Sequence, residues 1–173
     1  MKFTYFLSSF LFICATFYGQ TTKVQADAQK FYNSGNDNFD HKKYSEAIAD
    51  YTKAIELNAN YADAYYNRGT AKNLIKDQNG ALADYSKAIE LSPKYVSAYN
   101  NRASIKKSLK DYYGAIKDYD SAIGIDPSNA VAYYNRGNIK IFIQKNEEGC
   151  KDLRKAHDLG NSKSIESIAR YCN

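Results

Sequence analysis

The chain of 173 residues has no tryptophan, one methionine, two prolines, two histidines and three cysteines. His41 and His157 sit near opposite ends of the repeated part of the chain, so they cannot share a metal ion or a charge relay. Glycine forms no phosphate-cradling loop, because its positions recur with the packing pattern described below. Acidic residues either fall in one repeated column or lie on solvent faces, as Glu56 and Glu90 do. The formal net charge is +5, but lysine and arginine are scattered singly rather than gathered into a patch, which argues against binding a nucleic-acid backbone. No catalytic residue, metal ligand set or cofactor motif emerges, and the chain is read as a non-enzyme without cofactors.

Tyrosine is abundant, with 17 copies, and much of it is periodic. Asn33, Asn67, Asn101 and Asn135 recur every 34 residues, as do Tyr51, Tyr85 and Tyr119, the alanines 54, 88, 122 and 156, and Arg68, Arg102, Arg136 and Arg170. Several independent columns at one period mean one helical-hairpin unit copied along the chain. Phased from Ala28, the units are 28–61, 62–95, 96–129 and 130–161, followed by a solitary first helix at 162–173. That last helix is expected to cover the apolar flank of unit four.

Within each unit an aromatic (Phe31, Tyr65, Tyr99, Tyr133) precedes a small residue by four (Gly35, Gly69, Ala103, Gly137), where two helices can approach closely. Ala47, Ala81, Ala115 and Gly149 open the apolar stripe of a second helix, which continues through Tyr51, Tyr85, Tyr119 and Leu153 and the alanine column. Pro93 and Pro127 end their units, with Ala59 in the equivalent place of unit one. This order of aromatic, small residue, Ala, Tyr, Ala and Pro resembles the tetratricopeptide repeat (TPR) family. The stretch from Tyr65 to Lys72, echoed from Tyr99 and Tyr133, is typical of it. The resemblance covers residues 28 to about 161 and implies an all-α fold: a right-handed superhelix of antiparallel helix pairs, with a concave groove lined by the first helix of each pair.

Lys2, the apolar run Tyr5–Phe17 and the polar segment after Gly19 read as a secretory signal peptide at 1–19, with residues 20–27 as a loosely ordered linker. The apolar core is short for a membrane span of ~20 residues, although bulky Phe17 leaves an uncleaved anchor open. Cys14 is not read as a lipidation site, because Ile13 stands where a small residue is needed. Export to the periplasm or outside the cell is therefore expected, with no integral span after cleavage. Only Cys150 and Cys172 would then remain, an even number in an oxidising compartment. If the last two helices run antiparallel about Gly160-Asn161, these cysteines lie level, and so do Asp152 and Arg170. Residues two apart on a helix point ~200° apart, so both pairs cannot sit at the centre of one interface. A disulfide is expected, with two free thiols as the alternative.

Asp50, Asp84, Asp118 and Asp152 each precede an arginine of the next unit: Arg68, Arg102, Arg136 and Arg170. Unit one has Ser34 in place of the arginine, which points to ion pairs that stitch one unit to the next and fix register.

The Asn33, Asn67, Asn101 and Asn135 column resembles the asparagine ladder of the O-linked N-acetylglucosamine transferases, where such a row holds peptide backbone. Asparagine offers a donor and an acceptor and can grip an extended peptide without reading its sequence; simple packing is the alternative use. Tyr32, Tyr66 and Tyr134, with Asn100 interrupting the row, and Asn36, Thr70, Ser104 and Asn138 complete a polar, aromatic and nearly uncharged lining. The chaperone-tail subclass grips a terminal carboxylate with cations; Tyr32, Ser97 and Asn101 stand at those places here, although Asn36 and Asn67 match. The expected function is a protein- or peptide-binding scaffold of the cell envelope. Its rival is a structural role in which the array assembles through its ends or convex face.

Overall fold

The computed structural model describes residues 23–172. The expected signal peptide at 1–19 and its cleavage position lie outside the described residues, as do residues 20–22. Nine α-helices and no strands occur among the described residues: α1 (23–40), α2 (Tyr44–Leu57), α3 (Ala62–Leu74), α4 (Gln78–Leu91), α5 (Val96–Ser108), α6 (Tyr112–Ile125), α7 (Ala130–Phe142), α8 (Asn146–Asp158) and α9 (Ser164–Tyr171). None of them is long and apolar enough to cross a membrane. Each unit is one helix pair, and α9 packs on α8 and touches α7. The expected linker differs: residues 23–27 are helical, already part of α1. Lys23-Val-Gln-Ala-Asp contains no helix breaker, and Ala28 directly behind it is buried, so the helix propagates through it.

The turn inside each hairpin is built the same way. Lys42, Lys76, Lys110 and Gln144 adopt φ between 60° and 71°. At the end of α3, Lys76 N–H donates to Asn73 C=O and Asp77 N–H to Lys72 C=O, the paired bonds that close a helix with a left-handed residue. Asp77 and Asp111 then cap the following helices by accepting from Gly80 and Gly114 N–H. Only the turn after α8 uses glycine, Gly160 at φ 89°.

The second helix of each unit fully buries one large residue in a bed of alanine, and unit four adds Ile139 from its first helix. Tyr51, Tyr85 and Tyr119 are 1% exposed and Leu153 0%. A Cβ on Gly35 would lie 2.6 Å from the Tyr51 ring, so the first helix must present a bare backbone there. In unit four, Gly137 and Gly149 face each other, and a Cβ on Gly149 would meet Gly137 C=O at 2.9 Å.

Cys150 and Cys172 form a disulfide, with Cα atoms 5.5 Å apart, that ties the end of α9 to α8. Asp152 and Arg170 are not paired, as the helical geometry allows only one of the two level pairs to face the interface. Reduction is expected to loosen α9 while leaving the hairpins folded, because a bridge closing a loop of this size contributes on the order of 3 kcal/mol. Hydrogen exchange of residues 164–171 with and without reductant measures this; equal protection in both states would contradict it.

Candidate protein-binding groove

The repeated acidic and basic columns meet inside the second, third and fourth hairpins rather than across the seams between hairpins. Asp84 accepts from Arg68 Nε and Nη2 at 2.9 and 2.7 Å, and Lys72 Nζ adds a third contact at 2.8 Å. Asp118 is held in the same way by Arg102 and Lys106, and Asp152 by Arg136 and Lys140. The expected pairs of Asp84 with Arg102, Asp118 with Arg136 and Asp50 with Arg68 are therefore corrected. Asp84 and Arg68 are equidistant from Lys76, the residue about which the hairpin folds, and so they lie level across it. Asp50 takes Ser34 and Asn38 instead. Arg170 bonds Glu166; Asp152 is already filled, and Arg154 occupies the place from which an acceptor would draw Arg170 inward.

The arginines do reach across the seam, but to another column. Arg68 Nη1 donates to Thr52, Arg102 Nη1 to Ser86 and Arg136 Nη1 to Asp120. Each also lies over the aromatic preceding the small column, at 5.3–5.7 Å from the centroids of Tyr65, Tyr99 and Tyr133. The lysine column was missed in the sequence because a lysine four residues after an arginine reads as a solvated helix face. Its 34-residue recurrence in step with the aspartates was the available signal.

The first helices α1, α3, α5 and α7 carry the asparagine column along one face. Asn67 Nδ2 donates to Tyr32 Oη and Asn36 Oδ1, both at 3.0 Å. Asn101 Nδ2 donates to Tyr66 Oη at 3.1 Å. Asn135 turns its Nδ2 back to Val131 C=O, because Asn100 stands where a tyrosine hydroxyl would receive it. Asn33 Oδ1 accepts from Gln29. Packing and ligand-holding capacity thus coexist: the amide nitrogens of Asn67 and Asn101 join neighbouring units, while the Oδ1 atoms of Asn67, Asn101 and Asn135 have no partner among the described residues.

Around them, Tyr51 Oη donates to Asn36, Tyr85 Oη to Thr70, and Asn138 Nδ2 to Tyr134 C=O, with Ser167 of α9 donating to Asn138 Oδ1. Ser104 is exposed. Tyr32, Tyr66 and Tyr134 are half-buried. Two of these rings are covered by tyrosines absent from the sequence reading: Tyr61 lies on Tyr32 and Tyr95 on Tyr66, each with centroids 4.8 Å apart. Tyr61 Oη donates to Gln29 and Tyr95 Oη to Asp63. The signal for this pair was an aromatic one residue before the first helix in two successive units. Burial raises the pKa of both hydroxyls, and the Asp63 carboxylate adds to the effect at Tyr95.

Solved structures share this arrangement. The chain aligns with a crystal structure of MamA at TM-score 0.74 and 25% identity, covering 89% of this chain and 88% of that one. It aligns with the first TPR of Spaghetti (RPAP3) bound to the HSP90 peptide SRMEEVD at TM-score 0.67 and 28% identity, over 69% and 95% of the two chains. The Arabidopsis OM64 TPR domain matches at TM-score 0.66 and 28% identity, over 69% and 98%. No curated protein sequence matches. The family model described as TPR repeat matches residues 35–72, 76–110 and 103–140, more than half of the chain. With stacked helical hairpins, a buried tyrosine in each of the first three, solved relatives of the same architecture and the family model over more than half of its length, the chain belongs to the tetratricopeptide repeat family.

Proposed function

We propose that this chain is an exported, non-enzymatic scaffold of the cell envelope that holds an extended segment of a partner protein in the groove lined by α1, α3, α5 and α7. The observation that carries this reading is the row of unpaired carbonyl oxygens on Asn67, Asn101 and Asn135, whose amide nitrogens are fixed by neighbouring groups. A fixed acceptor repeated from unit to unit matches the backbone N–H groups of an extended chain. Closure of the array end by α9 weighs against stacking through that end. The expected leader at 1–19 and the Cys150–Cys172 bridge support an oxidising location. One solved relative holds an HSP90 peptide; uncharged Tyr32, Ser97 and Asn101 here supply no cations for a terminal carboxylate, so a different kind of segment is read for this groove.

Peptides selected from a random library against the purified chain provide the test. Replacing Asn67 and Asn101 together by Ala is expected to lower their affinity roughly five- to hundred-fold, from two hydrogen bonds of ~0.5–1.5 kcal/mol each. The same variant loses its bonds to Tyr32, Asn36 and Tyr66, so its fold is expected to weaken by about 1–3 kcal/mol and binding must be measured well below its melting point. Unchanged affinity in the folded double variant would move the binding surface elsewhere. Protein from the native host is expected to begin near Gln20; an intact N-terminus would refute export by cleavage.

A further inference from the structure

Tyr61, Tyr95, Asn129 and Lys163 are the N-cap residues of α3, α5, α7 and α9. Where the cap is tyrosine, its ring covers the groove tyrosine of the preceding unit. Unit four keeps its groove tyrosine, Tyr134, but the cap that follows is Lys163, and no ring covers Tyr134 among the described residues. A pocket of about 350 Å³ lies there instead, lined by Val131, Tyr134, Asn135, Asn161 and Lys163 among others. Its volume is at the small end of the usual range for ligand sites.

The groups around this pocket lack partners. Lys163 forms no ion pair, and the Tyr134 hydroxyl and Asn135 Oδ1 form no hydrogen bond, among the described residues. Asn161 Oδ1 is enclosed without a donor, one of two buried side-chain atoms in that condition among the described residues. Val131 is 54% exposed beside them and offers an apolar wall. An uncovered ring face, an unpaired ammonium and orphaned acceptors converge where the two earlier units place a tyrosine.

We infer that this pocket receives an aromatic side chain of the partner segment, stacked on Tyr134 in the place the missing tyrosine would fill, with an adjacent acidic residue paired to Lys163. The inference rests on the groove reading and names what the groove selects at its C-terminal end. The ring supplies most of the attraction, since an exposed ion pair contributes little. The carboxylate selects among aromatic segments by meeting the one unpaired cation of the pocket lining.

The test titrates acetyl-Trp-Asp-amide and acetyl-Leu-Asn-amide into the isotope-labelled chain and follows backbone amide shifts. Saturable shifts are expected at residues 131–135 and 160–164, with the Trp-Asp probe binding about ten-fold more tightly than the Leu-Asn probe. Lys163→Tyr restores the ring of the earlier units and is expected to abolish saturation without lowering the melting temperature. Lys163→Glu is expected to reverse the preference toward acetyl-Trp-Lys-amide, which covers the case in which the tyrosine variant misfolds. Equal affinity for both probes, shifts centred elsewhere, no saturation, or a Lys163→Glu variant with unchanged preference would each overturn the inference. Those results leave the Asn67 and Asn101 double substitution as an independent measure of the groove, so failure of the pocket and failure of the groove are distinguishable.

Discussion

Asp118→Ala is expected to destabilise the array by about 3–5 kcal/mol, the cost of stranding buried charge by removing one partner of an ion pair. Asp118 is 2% exposed, accepts both Nε and Nη2 of Arg102 and also contacts Lys106. Without it, the Arg102 and Lys106 cations lie side by side on α5, largely buried within the hairpin, and Arg102 keeps only the Ser86 hydroxyl and the face of Tyr99. A loss of this size is a large part of the ~5–15 kcal/mol that holds a typical domain folded. Asp50→Ala is the internal control. Its partners are the Ser34 hydroxyl and the Asn38 amide, which can turn to water, so about 1 kcal/mol is expected. Urea denaturation of the two variants side by side measures the difference; equal costs would show that the carboxylate column acts by packing rather than by charge.

Stability is also expected to fall steeply above about pH 10, before the array reaches the pH at which its own tyrosines ionise. Burial pushes the hydroxyls of Tyr51, Tyr61, Tyr85, Tyr95 and Tyr119 up, and Tyr119 is raised to about 12. Desolvation disfavours the phenolate inside the fold, so the unfolded chain, with ordinary tyrosines, releases protons first. A raised folded pKa contributes stability that is fully present below the unfolded value and is lost as pH climbs through the folded value. For Tyr119, 1% exposed, the rise to about 12 corresponds to about 3 kcal/mol. Urea midpoints measured from pH 8 to 12 are expected to be level up to about 10 and then to drop, with phenolate absorbance rising together with unfolding. Phenolate appearing while the chain is still folded would overturn this, and Tyr119→Phe is expected to flatten the drop by its own share.

The 34-residue period and the helical hairpins were legible because both rest on side-chain size, which repeats directly in the sequence. Partner choice was not. Asp84 is nearly as far along the chain from Arg68 as from Arg102, so spacing alone leaves both pairings open. The tight left-handed turn at Lys76 decides it by laying α3 and α4 level, and Lys72 then completes the cluster from the same helix. The asparagine column divided between its two readings for a similar reason: one amide has a nitrogen and an oxygen, and the tyrosine of the preceding unit takes only the nitrogen. Tyr61 and Tyr95 stayed hidden because they fall in a turn, where an aromatic shows no periodicity within its own helix.

Pairing each buried carboxylate inside its own hairpin also bears on how such an array can lengthen. A hairpin that is duplicated and inserted brings its aspartate, arginine and lysine together, so neither new seam is left with an uncompensated buried charge. Pairing across the seams would have left a stranded arginine at one terminus and a stranded carboxylate at the other. Here the arginine's reach into the preceding unit ends, at the first two seams, on the hydroxyls of Thr52 and Ser86, groups that water can replace, and at the third on the exposed carboxylate of Asp120. Growth by whole-unit copying therefore leaves no buried carboxylate without its cations from the first copy, before any compensating substitution has arisen.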